Sequence, residues 1–102
     1  MRTLKLADAA LADLAAIRKW LRQRGAGPAA ARRLHHIERA LLDLRISPCH
    51  WPYSLEHEHA RERIVEGYKI VYLVVPDTGS NATAGDVLVR RVFGPWQRSD
   101  RL

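Results

Sequence analysis

Four cations sit on the apolar, strand-like runs of the last third of the chain: Arg63, Lys69, Arg90 and Arg91. Such groups can hold a carboxylate or a phosphate, or offset the charge that develops when a phosphodiester is attacked. The three arginines move protons poorly, because a guanidinium stays charged to beyond about pH 12. The runs that carry them are Glu62-Arg63-Ile64-Val65-Glu66, then residues 68–75 after Gly67, then residues 87–93 after a polar loop. Strand side chains alternate between faces, so a sheet of these runs is expected to carry cations on one side and pack on the other. Adjacency should put Arg90 and Arg91 on opposite faces. Tyr68 and Tyr72 share a face and read as core packing. Trp96, beyond the last run, must either pack back on the sheet or meet a partner.

The remaining chemistry-bearing residues form weaker patterns. Cys49, His50, His57 and His59 lie near Glu56 and Glu58, but their spacing fits no standard zinc pattern, and a solvated linker is the stronger reading. His35 and His36 lie on a helix with nothing to support coordination. No metal and no cofactor are expected. Arg32, Arg33, Arg39 and Arg45 give a basic helix face, without the spacing of a helix-turn-helix.

The elements that must position the cations can be read from periodicity. Thr3-Leu4-Lys5-Leu6 alternates and predicts a short first strand. Asp8 is expected to cap a first helix, along which Leu11, Leu14, Ile17 and Leu21 recur beside Trp20. Basic residues crowd its last turns, and Gly25 and Gly27 end it. Pro28 suits the first turn of a second helix, with Leu34, Ile37, Leu41 and Leu44 as its apolar seam and Ser47-Pro48 as its stop. Residues 49–59 form an irregular connection anchored by Trp51 and Tyr53, and residues 76–85 a loop. A Gly94-Pro95 turn opens the tail. The expected fold is α+β in the order β-α-α-β-β-β: a short N-terminal strand, an antiparallel helical hairpin and three antiparallel strands, with the hairpin on one sheet face.

At 102 residues the chain is expected to be one domain, residues 1–102, with one modest core. Hydrophobic residues at 47% and charged residues at 27% place it among globular proteins rather than disordered ones. Seventeen Lys and Arg against eleven Asp and Glu leave a net charge of +6, which favours an acidic partner. A lone cysteine excludes an intrachain disulfide and suits a reducing compartment. The first residues hold no long apolar core, and no window approaches the roughly 20 apolar residues of a membrane span. A cytoplasmic location without membrane contact is the expectation.

Over nearly its whole length the sequence resembles the RelE/ParE superfamily of bacterial toxins from toxin–antitoxin pairs. The resemblance is carried by Arg63-Ile64-Val65-Glu66-Gly67-Tyr68-Lys69-Ile70-Val71-Tyr72 and by Val87-Leu88-Val89-Arg90-Arg91-Val92 in the place of the last strand. It implies one of two activities. RelE-like members cut mRNA on the ribosome, and there Arg63, Lys69 and Arg90 would be the candidate catalytic cations. ParE-like members inhibit DNA gyrase by protein–protein contact. Ribonuclease members commonly keep a histidine or tyrosine at the end of the last strand or in the tail. Here Phe93-Gly94-Pro95-Trp96-Gln97-Arg98 has neither, which favours the ParE-like branch. A degenerate toxin fold kept as a binding module is a third reading. The resemblance also implies a cognate antitoxin, acidic and with a DNA-binding N-terminus, in a hetero-oligomer with this chain. Arg63, Arg90, Arg91, Trp96 and Arg98 are the expected contacts to antitoxin or target.

Overall fold

The computed structural model describes residues 1–97. The elements follow the order β1 (Leu4–Leu6), α1 (Asp8–Leu21), α2 (Gly27–Ile46), β2 (Arg61–Val65), β3 (Tyr68–Val75) and β4 (Asp86–Phe93). They build one four-stranded sheet in the order β1-β4-β3-β2. The last three strands pair antiparallel, and β1 adds parallel to β4. The α+β arrangement with the helical hairpin on one sheet face is therefore as the sequence predicts.

The helices bury what their periodicity marks. On α1 the buried stripe is Ala10, Leu14, Ile17 and Leu21; on α2 it includes Leu34, Ile37, Leu41 and Leu44. These stripes meet Tyr68, Ile70, Tyr72 and Val74 of β3 and Val87, Val89 and Val92 of β4. Tyr68 and Tyr72 are both almost fully buried, and the Tyr72 hydroxyl donates to the Pro48 carbonyl at 2.7 Å. Burial of that phenol pushes its pKa well up, so it remains a neutral donor.

Two local readings are corrected. Leu11 is exposed, because the stripe through residues 10, 14, 17 and 21 follows the 3.6-residue period and Leu11 lies one step, about 100°, away from it. Asp8 does not cap α1: the N-cap is Ala7, in an extended conformation and without a side-chain bond, and Asp8 occupies the first turn. Its charge there favours the positive end of the helix dipole.

The far face of the sheet is covered as well. Residues 54–60 fold across it, and a second cluster forms from Ala60, Val71 and Phe93 with Leu73 against it. His57, expected in a solvated linker, is buried there with its ring parallel to Phe93 at 6.2 Å. β2 turns into β3 through Glu66 and Gly67, both at positive φ (53° and 79°). This two-residue turn matches the twist of the strands it joins. Among the described residues no helix is long and apolar enough to cross a membrane.

Exposure separates packing from surface on α2. Leu44→Ala should cost about 3 kcal/mol in urea denaturation, the usual range for emptying a buried leucine site. Leu42→Ala, 64% exposed, should stay within about 0.5 kcal/mol.

Candidate functional site

The cations of the sheet are sorted by one irregularity in β4. Tyr72 pairs with Val89, but Val71 pairs with Arg91, so Arg90 is an inserted residue and two arginines oppose one valine. Val89 and Val92 both point into the core beneath the helices. The bulge thus leaves Arg90 and Arg91 together between two inward-facing valines. This corrects the reading that adjacency puts them on opposite faces.

Arg91 is engaged from within. β1 is only three residues long, and Ala7 makes the last hydrogen bond along that edge, to the Val89 carbonyl. Beyond it the edge of β4 has no strand partner. Asp13 of α1 takes that place. One of its carboxylate oxygens accepts from the Val92 N–H at 2.9 Å and from Arg91 Nε at 2.7 Å, and the other from Arg91 Nη2 at 3.1 Å. The bidentate bond holds the Arg91 guanidinium 4.6 Å above the Phe93 ring and raises its pKa further.

Arg63 pairs in register with Ile70 and so turns to the helix side. Its Nη1 donates to the Ala40 carbonyl of α2 at 3.0 Å, with Asp43 at 3.8 Å, and its guanidinium lies 4.0 Å over Trp51. Lys69 lies on the opposite face, between Glu56 at 3.5 Å and Glu62 at 3.8 Å. Arg63 and Lys69 therefore do not converge. Arg90 is half-buried and makes no ion pair with any described residue. Arg98 lies outside the described residues.

Two further arginines were not among the sequence candidates. Arg61 is buried, forms a bidentate bond with Asp77 at 2.7 and 3.0 Å, donates to the Trp51 carbonyl at 2.6 Å and lies 4.0 Å over Tyr53. The signal available was its two-residue offset from Arg63, which places both on the helix-facing side. Arg2 ties the N-terminal segment to the end of α2 and the β3–β4 loop, donating to the Arg45 carbonyl at 2.6 Å and the Gly85 carbonyl at 3.0 Å. The recurring use of a guanidinium here is to satisfy carbonyls and carboxylates at loop junctions.

What stays on the surface is aromatic and aliphatic. Trp96 packs back partway, 5.9 Å from Trp20 and 6.0 Å from Tyr68, yet remains 65% exposed. On α2, Leu42 and Ile46 stand exposed one turn apart and, with Leu4 and Arg45, line a cleft of about 300 Å³. No group of three or more His, Cys, Asp or Glu side chains among the described residues is placed to hold a metal ion.

The family model described as the ParE toxin of the type II toxin–antitoxin system parDE matches residues 4–93. A solved structure titled as a chromosomal ParDE toxin–antitoxin system from P. aeruginosa superposes with a TM-score of 0.67 at 18% identity, covering 92% of this chain and 96% of that one. At that identity the likeness speaks for the fold. No curated protein matches the sequence.

The Arg61–Asp77 pair gives the site a measurable pH signature. Hydrogen bonds from Arg61, helped by the Gly79 N–H, hold the Asp77 carboxyl down to about 2. An unfolded aspartate titrates near about 4. The stabilisation is therefore complete above that value and is lost as pH falls toward about 2. Asp77→Asn should remove this acid-limb dependence from urea-denaturation midpoints. It should also destabilise by about 3 kcal/mol at neutral pH, because Arg61 stays buried without its counter-charge.

Proposed function

The chain belongs to the ParE toxin family of type II toxin–antitoxin systems, and on that footing we propose that it inhibits DNA gyrase by protein–protein contact and is silenced by a cognate antitoxin. The observation that carries this choice over mRNA cleavage is the placement of the sheet cations. Arg63 and Lys69 lie on opposite faces, and Arg63 is spent on the Ala40 carbonyl. A phosphodiester attacked at one point needs its cations and proton-transfer groups around that point. With Arg63 turned to the helix side, away from Lys69 and Arg90, the three cannot gather around one phosphodiester, which favours a rigid binding surface.

The antitoxin is proposed to be acidic, to carry its own DNA-binding N-terminus and to form a hetero-oligomer with the toxin. It would lay an amphipathic helix over the exposed Leu42 and Ile46 of α2, next to Leu4 and Arg45. With a net charge of +6 on the toxin, steering should make association fast and salt-sensitive. Arg90 and Trp96, with Arg98 beyond the described residues, are proposed to meet the target. Arg63 and Arg91 act in this scheme by fixing the shape of the surface.

The test is a supercoiling and cleavage assay with the purified full chain and gyrase, beside primer extension on mRNA from induced cells. Loss of supercoiling with accumulating double-strand breaks is expected. Discrete cuts within codons, with gyrase unaffected, would instead favour ribosome-dependent cleavage. Leu42→Glu combined with Ile46→Glu should weaken antitoxin binding by at least about tenfold, the equivalent of about 1.4 kcal/mol, while gyrase inhibition is retained.

A further inference from the structure

The C-terminal end of α1 concentrates charge that the fold does not use. The run Arg18-Lys19-Trp20-Leu21-Arg22-Gln23-Arg24 holds four cations and no acid. Arg18 is bound to Glu38, with Nη2 to Oε2 at 2.9 Å. Lys19, Arg22 and Arg24 are exposed and make no ion pair among the described residues. In the same run Trp20 is 54% exposed, turned off the buried stripe of its helix, and Trp96 stands against it.

The tail that carries Trp96 is held in place. Gln97 N–H donates to the Gly94 carbonyl at 3.1 Å, and Gly94 N–H donates to the Gln97 side-chain oxygen at 2.5 Å, closing the turn twice. Pro95 lies where a side chain on Gly67 would meet it, so the turn rests on the β2–β3 hairpin. The two indoles meet at an interplanar angle of 59° and open a cleft of about 120 Å³ with Asp13, Ala16, Ile17 and Gln97. Asp13, the carboxylate of this cleft, is already bound to Arg91 and the Val92 N–H.

We propose that Trp20 and Trp96, with Lys19, Arg22 and Arg24, form a binding site for single-stranded nucleic acid, with a base stacked on the indoles and the flanking phosphates on the cations. Exposed aromatic faces beside a basic track are what sequence-tolerant single-strand binding uses, since every base offers a π-face. A polypeptide of carboxylates alone would answer the cations but offer no ring to the indole faces. The cations lie within six residues, on the last turn of α1 and the turn that follows it, and are free to neutralise neighbouring phosphates without breaking an internal pair. The site shares Trp96 with the surface proposed to meet gyrase, but strand binding is read on this chain alone, so its failure is distinguishable from a failure of gyrase inhibition.

The experiment titrates the purified full chain with a twelve-residue oligothymidylate, following tryptophan fluorescence and the anisotropy of a labelled strand, with polyglutamate of equal charge as comparator. Saturable quenching is expected, with affinity falling in salt at a log–log slope of about −2, from about 0.7 per phosphate over three cations. Trp20→Leu with Trp96→Leu should weaken binding at least about tenfold, and Trp20→Phe with Trp96→Phe should restore most of it. Lys19→Gln, Arg22→Gln and Arg24→Gln together should flatten the salt slope with the melting curve unchanged. No binding of the oligonucleotide, or binding untouched by the cation variants, would overturn the proposal. Equal quenching and displacement by polyglutamate would also overturn it, and would assign the patch to an acidic polypeptide.

Discussion

A backbone N–H at the edge of a sheet needs an acceptor, and at the end of β4 the acceptor is a carboxylate lent by a helix. β1 stops after three residues, so the second half of β4 would be bare on that side. Asp13 takes the role of the missing strand at Val92 and holds Arg91 with the same two oxygens. The geometry is possible because the bulge at Arg90 turns Arg91 out while returning Val92 to the core. The junction ties α1 to the end of β4 and fixes where Arg91 lies.

The same economy operates elsewhere. Arg61 closes on Asp77, Arg63 on the Ala40 carbonyl and Arg2 on two loop carbonyls. Buried or half-buried guanidinium groups in such settings specify geometry more than they add stability, since desolvation offsets much of the attraction. The charge of +6 is therefore not a property of the sheet face. Residues 8–46, the helical hairpin and its connecting turn, carry +4 of it, eight Lys and Arg against four Asp and Glu, beside an exposed tryptophan pair at one end and an aliphatic stripe at the other.

Much of the fold was legible because it rests on periodicity. Leu14, Ile17 and Leu21, and the seam from Leu34 to Leu44, are buried as their spacing requires, and the alternation in residues 68–75 selects the buried tyrosines. Leu11 misled because four leucine-like positions fit two adjacent helical stripes, and the small Ala10 decides which one packs. The arginines were harder. A one-residue bulge reverses alternation without any mark in composition, so the shared side of Arg90 and Arg91 could not be read from their adjacency. Asp13 and Asp77 lie 78 and 16 residues from the arginines they bind, and sequence spacing holds no trace of either pairing. The two tryptophans near each other, Trp20 and Trp96, join opposite ends of the chain for the same reason.

That the Arg91 guanidinium is held inside the fold by Asp13 is tested most directly by a double-mutant cycle on Asp13→Ala and Arg91→Ala, read as urea-denaturation free energies. A coupling of at least about 1 kcal/mol is predicted, as for side chains that share a bonded network. Additivity within about 0.3 kcal/mol would mean that Arg91 is energetically free of Asp13, and would contradict a carboxylate that closes the edge of β4.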